Sequence, residues 1–316
     1  MKRLEKPQIE WLAQRFQNRV RFDEPLAPYT SFQIGGPAEA LIIPESPAEL
    51  TALIKGARER EIAYRIIGGG TNLLVNDRGV SGLVVVTTRC LEHILLVEEA
   101  VGHIHISVGA SVLMKRLCRY CLAQGFQGMN FAIGIPGTIG GALIMNAGTG
   151  KGTVANVLSA MMLLTTTGEI CTLNRNQFRA ENRRLSWEPV ESDEAYPPVI
   201  LGCELTLTRA DAAMLRAEAR HIMRQRGKTQ PLGIPSAGCI FKNPVDGLPA
   251  GQLIDMAGLK GAREGGAVIS ARHANYILNA GGATAAEVMA LMARVKETVW
   301  NRFQIQLEPE VKLVGE

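Results

Sequence analysis

The sequence predicts a multidomain protein that mixes helices and strands, and three observations carry this prediction. Its 316 residues exceed the size of one typical domain. Helical and strand patterns alternate over the first 88 residues, and strand patterns dominate from there to residue 209. Long amphipathic helical patterns then return. We therefore place domains at residues 1–88, 89–209 and 210–307, with a last strand at 308–316.

The first section predicts a compact β-α-β unit. A helix is expected over residues 8–18, with Pro7 in its opening turn, where a missing N–H costs nothing. The run Ser46-Pro47-Ala48-Glu49 reads as a capping box that starts a second helix, which extends to about residue 60. Short runs rich in β-branched residues at 64–68 and 83–87 predict buried strands.

The remaining elements follow from the same periodicities. Strands are expected at 103–110, 157–165 and 199–207, and a helix is expected at 111–124, where Gly125 would end it. After residue 210 a long amphipathic helix opens the third section. A second capping box, formed by Thr284 and Glu287, begins a helix that reaches about residue 303.

Composition narrows the class of protein. The net charge of +4 comes from mixed cations and anions, which disfavours nucleic acid and suits an anionic small molecule. No apolar run approaches the roughly 18 residues of a membrane span, and no apolar stretch follows the basic N-terminal residues as in a signal peptide. Six scattered cysteines read as free thiols. We therefore expect a cytoplasmic protein.

Two glycine-rich loops, GGGTN at 68–72 and GIPGTIGG at 134–141, are candidate phosphate-binding segments. Glycine lets backbone amides approach an anion without a Cβ in the way. Leu73 stands where the dinucleotide fingerprint needs its last glycine, and Met145 and Gly152 break a Walker A loop. The two loops together could hold the diphosphate of a flavin dinucleotide, although each alone could also be a plain turn.

The other candidate motifs have simple structural interpretations. Cys118 and Cys121 form C-x-x-C inside a helical pattern, and core packing is favoured over zinc or redox chemistry because no second cysteine pair follows. His103 and His105 alternate along a strand with no third ligand nearby, which favours a solvated strand face. We expect no metal site.

Three further segments stay open on their residues alone. The basic segment 179–184 is either a solvated surface or a source of a guanidinium for a carboxylate or phosphate. Cys239 lies in segment 235–244, and a cysteine in such a segment is more often a buried structural thiol than a reactive one. The carboxylates of Glu308 and Glu310 would usually be a surface pair.

Taken in order, the motifs resemble the UDP-N-acetylenolpyruvoylglucosamine reductase family across nearly the whole chain. The matching pieces are TSFQIGGPAEALIIP, IIGGGTNLLVNDRGVSGLVV, NFAIGIPGTIGGALIMNAG, QPLGIPSAGCIFKNP, GQLIDMAGLKG and LEPEVKLVGE. The short passage 185–196 resembles the shorter of the family's two structural classes. The resemblance implies a three-domain α+β fold. Two of these domains would form an FAD-binding module of the vanillyl-alcohol oxidase and p-cresol methylhydroxylase type, joined by the terminal strand 308–316, and the third would bind the UDP-sugar.

The resemblance also implies a reaction and its ligands. UDP-N-acetylglucosamine enolpyruvate would be reduced to UDP-N-acetylmuramate in peptidoglycan precursor synthesis, with non-covalent FAD as cofactor and NADPH as co-substrate. Substrate contacts would come from Lys228, Asn243 and His273. The implied FAD contacts are Gly68, Gly69, Gly70, Thr71, Asn72, Gly134, Pro136, Gly137, Thr138, Gly140, Gly141 and Asn146.

Three residues match the family's catalytic positions. Arg184 corresponds to the arginine of a Tyr-Arg-x-Ser motif, although Arg183 occupies the tyrosine place and is kept as a second candidate. Glu310 matches the family's glutamate. Most members have serine as proton donor at the position of Cys239, so this chain would use a thiol instead.

Two other functions remain open at this point. The first is a different FAD-dependent oxidase or dehydrogenase with the same flavin-binding module, and the second is a UDP-sugar-binding flavoprotein without activity. The chemical competence of Arg184, Cys239 and Glu310 favours the reductase. We expect the enzyme to act as a monomer.

Overall fold

The computed structural model of the protein describes residues 2–187 and 195–315. The chain forms two compact units, which are described separately. The first unit comprises Met1–Phe22, Ala40–Gly69 and Gly82–Arg224, and the second comprises Asp23–Glu39, Gly70–Ser81 and Gln225–Glu316. The finer division at residues 88 and 209 stays a prediction. Within the passage 185–196 that suggested the shorter structural class, residues 188–194 lie outside the described residues.

Helices and strands occur together in both units. Within the described residues the helices are α1 (Lys6–Phe16), α2 (Pro47–Glu59), α3 (Met114–Gln124), α4 (Ile139–Ile144), α5 (Ala212–Thr229), α6 (Ala250–Met256) and α7 (Ala285–Phe303). The strands are β1 (Val20–Pro25), β2 (Pro37–Ile42), β3 (Tyr64–Ile67), β4 (Leu73–Val75), β5 (Val80–Val86), β6 (Ile94–Ala100), β7 (His103–Gly109), β8 (Phe126–Gln127), β9 (Gly148–Thr149), β10 (Gly152–Thr153), β11 (Leu158–Leu164), β12 (Ile170–Asn174), β13 (Phe178–Glu181), β14 (Arg184–Trp187), β15 (Val199–Arg209), β16 (Arg263–Glu264), β17 (Ala267–Ile269), β18 (Ile277–Asn279) and β19 (Lys312–Val314).

An antiparallel sheet lies at the centre of the first unit. Its strands follow the order β12-β11-β15-β7-β6, and β8 pairs with one end of β15. Along β7 the alternate residues Ile104, Ile106 and Val108 are buried, because successive side chains of a strand point to opposite faces. Helix α3 contributes Leu117 to the same hydrophobic core. The expected strands and helix of this section are therefore present.

The β-α-β pattern of the first section is also present, with shifted helix boundaries. Strands β3 and β5 pair in parallel. Helix α1 begins two residues earlier than expected because Glu5 and Gln8 cap each other's backbone N–H groups. At α2 the Ser46 hydroxyl accepts a hydrogen bond from the Glu49 N–H, as predicted, but the Glu49 carboxylate accepts from the N–H of Glu45 rather than that of Ser46.

The second unit has its own hydrophobic core, to which β17, β18 and helices α6 and α7 contribute buried side chains. The predicted capping box of α7 is confirmed. The Thr284 hydroxyl accepts from the Glu287 N–H at 3.2 Å, and the Glu287 carboxylate accepts from the Thr284 N–H at 3.0 Å. The terminal strand β19 pairs in parallel with β4, which directly follows the first glycine loop.

No helix in residues 2–187 and 195–315 is both long enough and apolar enough to cross a membrane.

Asp77 gives the start of α7 a second cap. Its carboxylate accepts hydrogen bonds from the N–H of Ala285 at 2.7 Å and from the N–H of Ala286 at 2.9 Å. Both donors belong to the first turn of the helix, where backbone N–H groups have no partner within the helix itself. The negative charge also complements the positive end of the helix dipole.

We expect Asp77→Ala to lower the free energy of unfolding by about 1 kcal/mol, the usual effect of losing a helix cap. Urea unfolding followed by circular dichroism measures this change. Asp246→Ala is the matched control, since that exposed carboxylate makes no hydrogen bond to any described residue. Equal urea midpoints for the two variants would show that the Asp77 cap contributes nothing.

Candidate active site

The two glycine loops meet within the first unit. A Cβ added to Gly69 would lie 2.9 Å from the Cα of Gly137, and one added to Gly68 would lie 2.5 Å from the Thr138 hydroxyl oxygen. Real Cβ atoms do not approach other atoms so closely, so these positions require glycine. The sequence places the loops far apart, and the fold brings their backbones into direct contact.

The second loop has the properties of a phosphate-binding segment. Gly134 and Gly137 adopt φ values of +81° and +100°, which only glycine adopts readily. Gly134 and Pro136 are exposed, whereas Thr138 is only 2% exposed. The buried Thr138 hydroxyl has no hydrogen-bond partner among the described residues. A buried hydroxyl without a partner is unfavourable, so an external acceptor such as a cofactor phosphate fits this position.

Two other residues of this block, both expected to contact the cofactor, have structural contacts of their own. A Cβ on the buried Gly140 would lie 3.1 Å from the Cβ of Ala110, so close packing constrains this glycine. The Asn146 amide donates to the Glu181 carbonyl at 3.0 Å and accepts from the Ala155 N–H at 3.2 Å. The side chain of Asn146 therefore fastens protein segments together. Gly141 is exposed.

The end of the first loop belongs to the second unit, where its residues hold the backbone together. The Gly70 carbonyl accepts from the Ser31 N–H at 3.0 Å. The Asn72 side chain donates to the backbone carbonyl of Glu310 at 3.1 Å, and the Asn72 carbonyl accepts from the Lys312 N–H at 2.9 Å. Asn72 therefore supports the segment that carries Glu310. Thr71 is half-buried beside it.

The candidate arginines lie on the hairpin formed by β13 and β14 in the first unit. Arg183 occupies its turn with φ +58°, and its guanidinium donates to the Gly148 carbonyl at 2.9 Å. Arg184 opens β14 opposite Glu181 and is exposed. The Arg184 guanidinium makes no hydrogen bond or ion pair with any described residue. Of the two candidates, Arg184 is thus the one whose guanidinium is available to a ligand.

The Cys239 segment is fixed by backbone hydrogen bonds in the second unit. The Ile240 N–H donates to the Asn275 carbonyl at 2.9 Å, and the Ile240 carbonyl accepts from the Glu310 N–H at 2.7 Å. The Asn275 side chain accepts from the Phe241 N–H at 3.0 Å and donates to the Phe241 carbonyl at 2.8 Å. The segment that carries Glu310 is therefore bonded directly to Ile240, the residue that follows Cys239.

Two residues that the sequence analysis missed join this arrangement. The Tyr276 hydroxyl interacts electrostatically with Cys239, and the charges of Arg226 and Glu310 also act on it. Burial is the main cause that raises the pKa of Tyr276 above its usual range. We call Cys239, Tyr276, Arg226 and Glu310 the Cys239 cluster. No spacing or motif in the sequence connects Tyr276 or Arg226 to Cys239.

The three expected substrate contacts lie in different surroundings. Burial lowers the pKa of His273, whose Nδ1 accepts from the Asn275 N–H at 3.3 Å. The Asn243 carbonyl oxygen accepts from the N–H of Ala250 at the start of α6, at 3.1 Å. Lys228 is exposed in the last turn of α5. The ammonium group of Lys228 is therefore accessible to an anionic ligand.

The interpretation of Cys118 and Cys121 as core residues agrees with the structure. Both are buried in the core of the first unit, and burial raises the pKa of each thiol to about 12. His103 is exposed and His105 is half-buried on β7. Within residues 2–187 and 195–315, no three His, Cys, Asp or Glu side chains are grouped closely enough to hold a metal ion.

The contact between the glycine loops predicts how the protein responds to an added methyl group. Gly69→Ala should yield protein with little bound FAD, because its Cβ meets backbone that cannot move aside. Flavin absorbance per protein after gel filtration measures this loss. Gly150→Ala is the control, because no atom lies within 4 Å of its added Cβ. Full FAD content in both variants would contradict the role of this contact.

Comparison with protein families supports the FAD assignment. Residues 38–174 match a model described as an FAD-binding domain, and residues 230–314 match the C-terminal domain of UDP-N-acetylenolpyruvoylglucosamine reductase. The first match contains the second glycine loop as well as Gly68 to Asn72. Thus the FAD cofactor and the mixed α+β fold expected from the sequence are confirmed.

Similar proteins cover nearly the whole chain. A UDP-N-acetylenolpyruvoylglucosamine reductase of Desulfosudis oleivorans is 43% identical over 97% of this chain and 98% of its own, and one of Syntrophus aciditrophicus is 42% identical over 94% and 92%. The crystal structure of the reductase from Thermus caldophilus is 32% identical, with a TM-score of 0.75 over 93% of this chain and 98% of its own. The chain belongs to the UDP-N-acetylenolpyruvoylglucosamine reductase family of oxidoreductases.

Proposed function

We propose that this enzyme uses NADPH to reduce the enolpyruvyl ether of UDP-N-acetylglucosamine enolpyruvate to a lactyl ether, giving UDP-N-acetylmuramate for peptidoglycan synthesis. The observation that carries the proposal is the Cys239 cluster, in which Cys239, Arg226 and Glu310 all act on the Tyr276 hydroxyl, in a chain of this family. FAD, when bound, supplies hydride transfer from NADPH to the substrate. It is held non-covalently, and the glycine loops of the first unit would hold it.

The substrate carboxylate needs cationic support during the reaction. Hydride addition to the terminal carbon of the alkene drives electron density onto the adjacent carboxylate, as an enediolate. The exposed Arg184 guanidinium is suited to this anion, because its planar fork donates two parallel hydrogen bonds to a carboxylate. Removal of one such donor typically costs on the order of a hundredfold in rate. Glu310 is proposed to bear a proton during this step.

The neighbouring carbon must then receive a proton, and Cys239 is the proposed donor. A cysteine thiol free in water has a pKa of about 8.5, far below that of an aliphatic hydroxyl, so it releases a proton to a carbanionic carbon more readily. Cys239 is half-buried, which leaves its sulfur within reach of a bound ligand. Its position is fixed through the hydrogen bonds of Ile240.

The remaining contacts concern the body of the substrate. Lys228 would bind the diphosphate as an exposed cation, and the Asn243 amide and His273 imidazole would bind polar groups of the nucleotide sugar. Of the Asn243 amide, only the carbonyl oxygen bonds to Ala250, so its NH₂ group remains suited to a ligand acceptor. We infer that the enzyme acts in the cytoplasm as a monomer, without nucleic acid or membrane partners.

Substitution of Cys239 separates the two halves of the proposed reaction. In Cys239→Ala, NADPH should still bleach the flavin, but the enolpyruvyl substrate should restore its absorbance at least about a hundredfold more slowly. Cys239→Ser should keep substantial turnover, because a hydroxyl can deliver the same proton. Anaerobic stopped-flow absorbance follows both halves. Normal reoxidation in the Ala variant would show that Cys239 is only a packing residue.

Glu310→Gln tests the proposed proton-bearing partner. The amide keeps the size of the side chain but cannot hold a carboxyl proton, so reoxidation of the flavin by the enolpyruvyl substrate should slow by at least about tenfold. Reduction by NADPH should be unaffected. Glu308→Gln is the control, as its exposed carboxylate pairs only with Lys242 among the described residues. An unaltered rate in Glu310→Gln would remove this residue from the mechanism.

A further inference from the structure

Tyr276 lies next to Cys239 because two chain segments are joined at this point. The Ile240 N–H donates to the Asn275 carbonyl at 2.9 Å, so the peptide after Cys239 is bonded to the peptide before Tyr276. The Tyr276 hydroxyl is near enough to Cys239 to interact with it electrostatically. The proximity of the two residues therefore follows from the backbone register of the two segments.

The ring of Tyr276 is itself held in place. It packs edge-on against the imidazole of His273, with ring centroids 5.0 Å apart and planes at 62°. The backbone N–H of Tyr276 donates to the His273 carbonyl at 3.0 Å, and the backbone carbonyl of Tyr276 accepts from the Ser270 N–H at 2.9 Å. With both its backbone and its ring fixed, the phenol presents its hydroxyl at one defined place beside the sulfur.

We propose that Tyr276 is a positioning residue for Cys239, whose hydroxyl orients the thiol and donates a hydrogen bond to the thiolate that remains after proton transfer. This inference rests on the proposed function, since it assumes that Cys239 delivers the proton. Tyr276 does not touch the reacting carbon in this scheme. It acts through the sulfur.

The proton balance of the step is simple. The S–H bond of Cys239 breaks, the proton forms the new C–H bond of the lactyl group, and sulfur keeps the electron pair. The Tyr276 O–H stays intact and donates to the negative sulfur. Water returns a proton to the thiolate after product leaves, so no further reactant is needed.

The surroundings of Tyr276 keep its hydroxyl protonated. Burial is the main cause that raises the pKa of the phenol, interaction with Cys239 adds to it, and the positive charge of Arg226 opposes it. The raised pKa lies above the pH range in which enzymes work, so the phenol remains an O–H donor throughout. A hydrogen bond to a charged atom is stronger than one between neutral groups. The tyrosine therefore stabilises the thiolate more than the thiol.

Tyr276→Phe removes this donor and keeps the aromatic ring. In the FAD-loaded enzyme, flavin reoxidation by the enolpyruvyl substrate should slow by about tenfold, consistent with loss of one hydrogen bond to a charged atom. Flavin reduction by NADPH should not change. Tyr120→Phe is the matched control, because its ring packs against Phe126 and its hydroxyl makes no hydrogen bond to any described residue. Parent-like reoxidation in Tyr276→Phe would overturn the proposal.

A second measurement reads the thiol directly and does not depend on turnover. The rate of iodoacetamide alkylation at Cys239 is followed against pH, and peptide mass spectrometry separates this thiol from Cys171, which is also partly exposed. Without the Tyr276 hydroxyl the thiolate loses stabilisation, so the alkylation profile should move to higher pH by about one unit. A purely structural tyrosine would leave the profile in place, and that result would overturn the proposal.

The variants distinguish the two proposals from each other. If Cys239→Ala reoxidises the flavin normally, the assignment of the proton donor is wrong whatever Tyr276 does. If Cys239→Ala is blocked while Tyr276→Phe matches the parent in both assays, the proton donor stands and only the role of Tyr276 is wrong.

Discussion

The candidate chemistry of the second unit depends on one buried amide. Asn275 is 3% exposed, and its side chain both accepts from and donates to the backbone of Phe241. An unsatisfied polar group at such depth would cost about 1–3 kcal/mol, so this pairing strongly fixes the register of the two segments. That register in turn sets the separation of Cys239 and Tyr276. The thiol that we propose as proton donor is therefore placed by a residue to which we assign no chemical step.

In the first unit, backbone packing and one buried amide fix the segments around the glycine loops. Backbone-to-backbone packing at Gly69 and Gly137 leaves no room for side chains, so the shape of the loops comes from the main chain. The Asn146 side chain ties the glycine-rich block to the hairpin that carries Arg184. Hence the segment that would hold the cofactor also supports the guanidinium that we assign to the substrate carboxylate. Asn72 plays the corresponding part for Glu310 in the second unit.

Local patterns in the sequence were sufficient to predict the main helices and strands and the two glycine loops. They did not reveal which side chains contact each other across the fold. The capping residues of α7 and the glycine that ends α3 act within a few residues, so a local pattern determines them. Arg183 lies in a turn with positive φ, and its guanidinium bonds to the Gly148 carbonyl, which the order of Arg183 and Arg184 in the chain does not reveal. Tyr276 reaches Cys239 only through long-range pairing, and no spacing rule predicts such a contact.

The buried hydroxyl of Thr138 would link the stability of the folded chain to its cofactor if a cofactor phosphate accepts its hydrogen bond. Within the described residues this hydroxyl has no acceptor. A ligand that satisfies it binds the folded state and not the unfolded chain, and thus shifts the folding equilibrium by mass action. The lifetime of the enzyme in a cell would then follow the supply of flavin, because proteases degrade the unfolded fraction. A single threonine would in this way connect vitamin status to enzyme abundance.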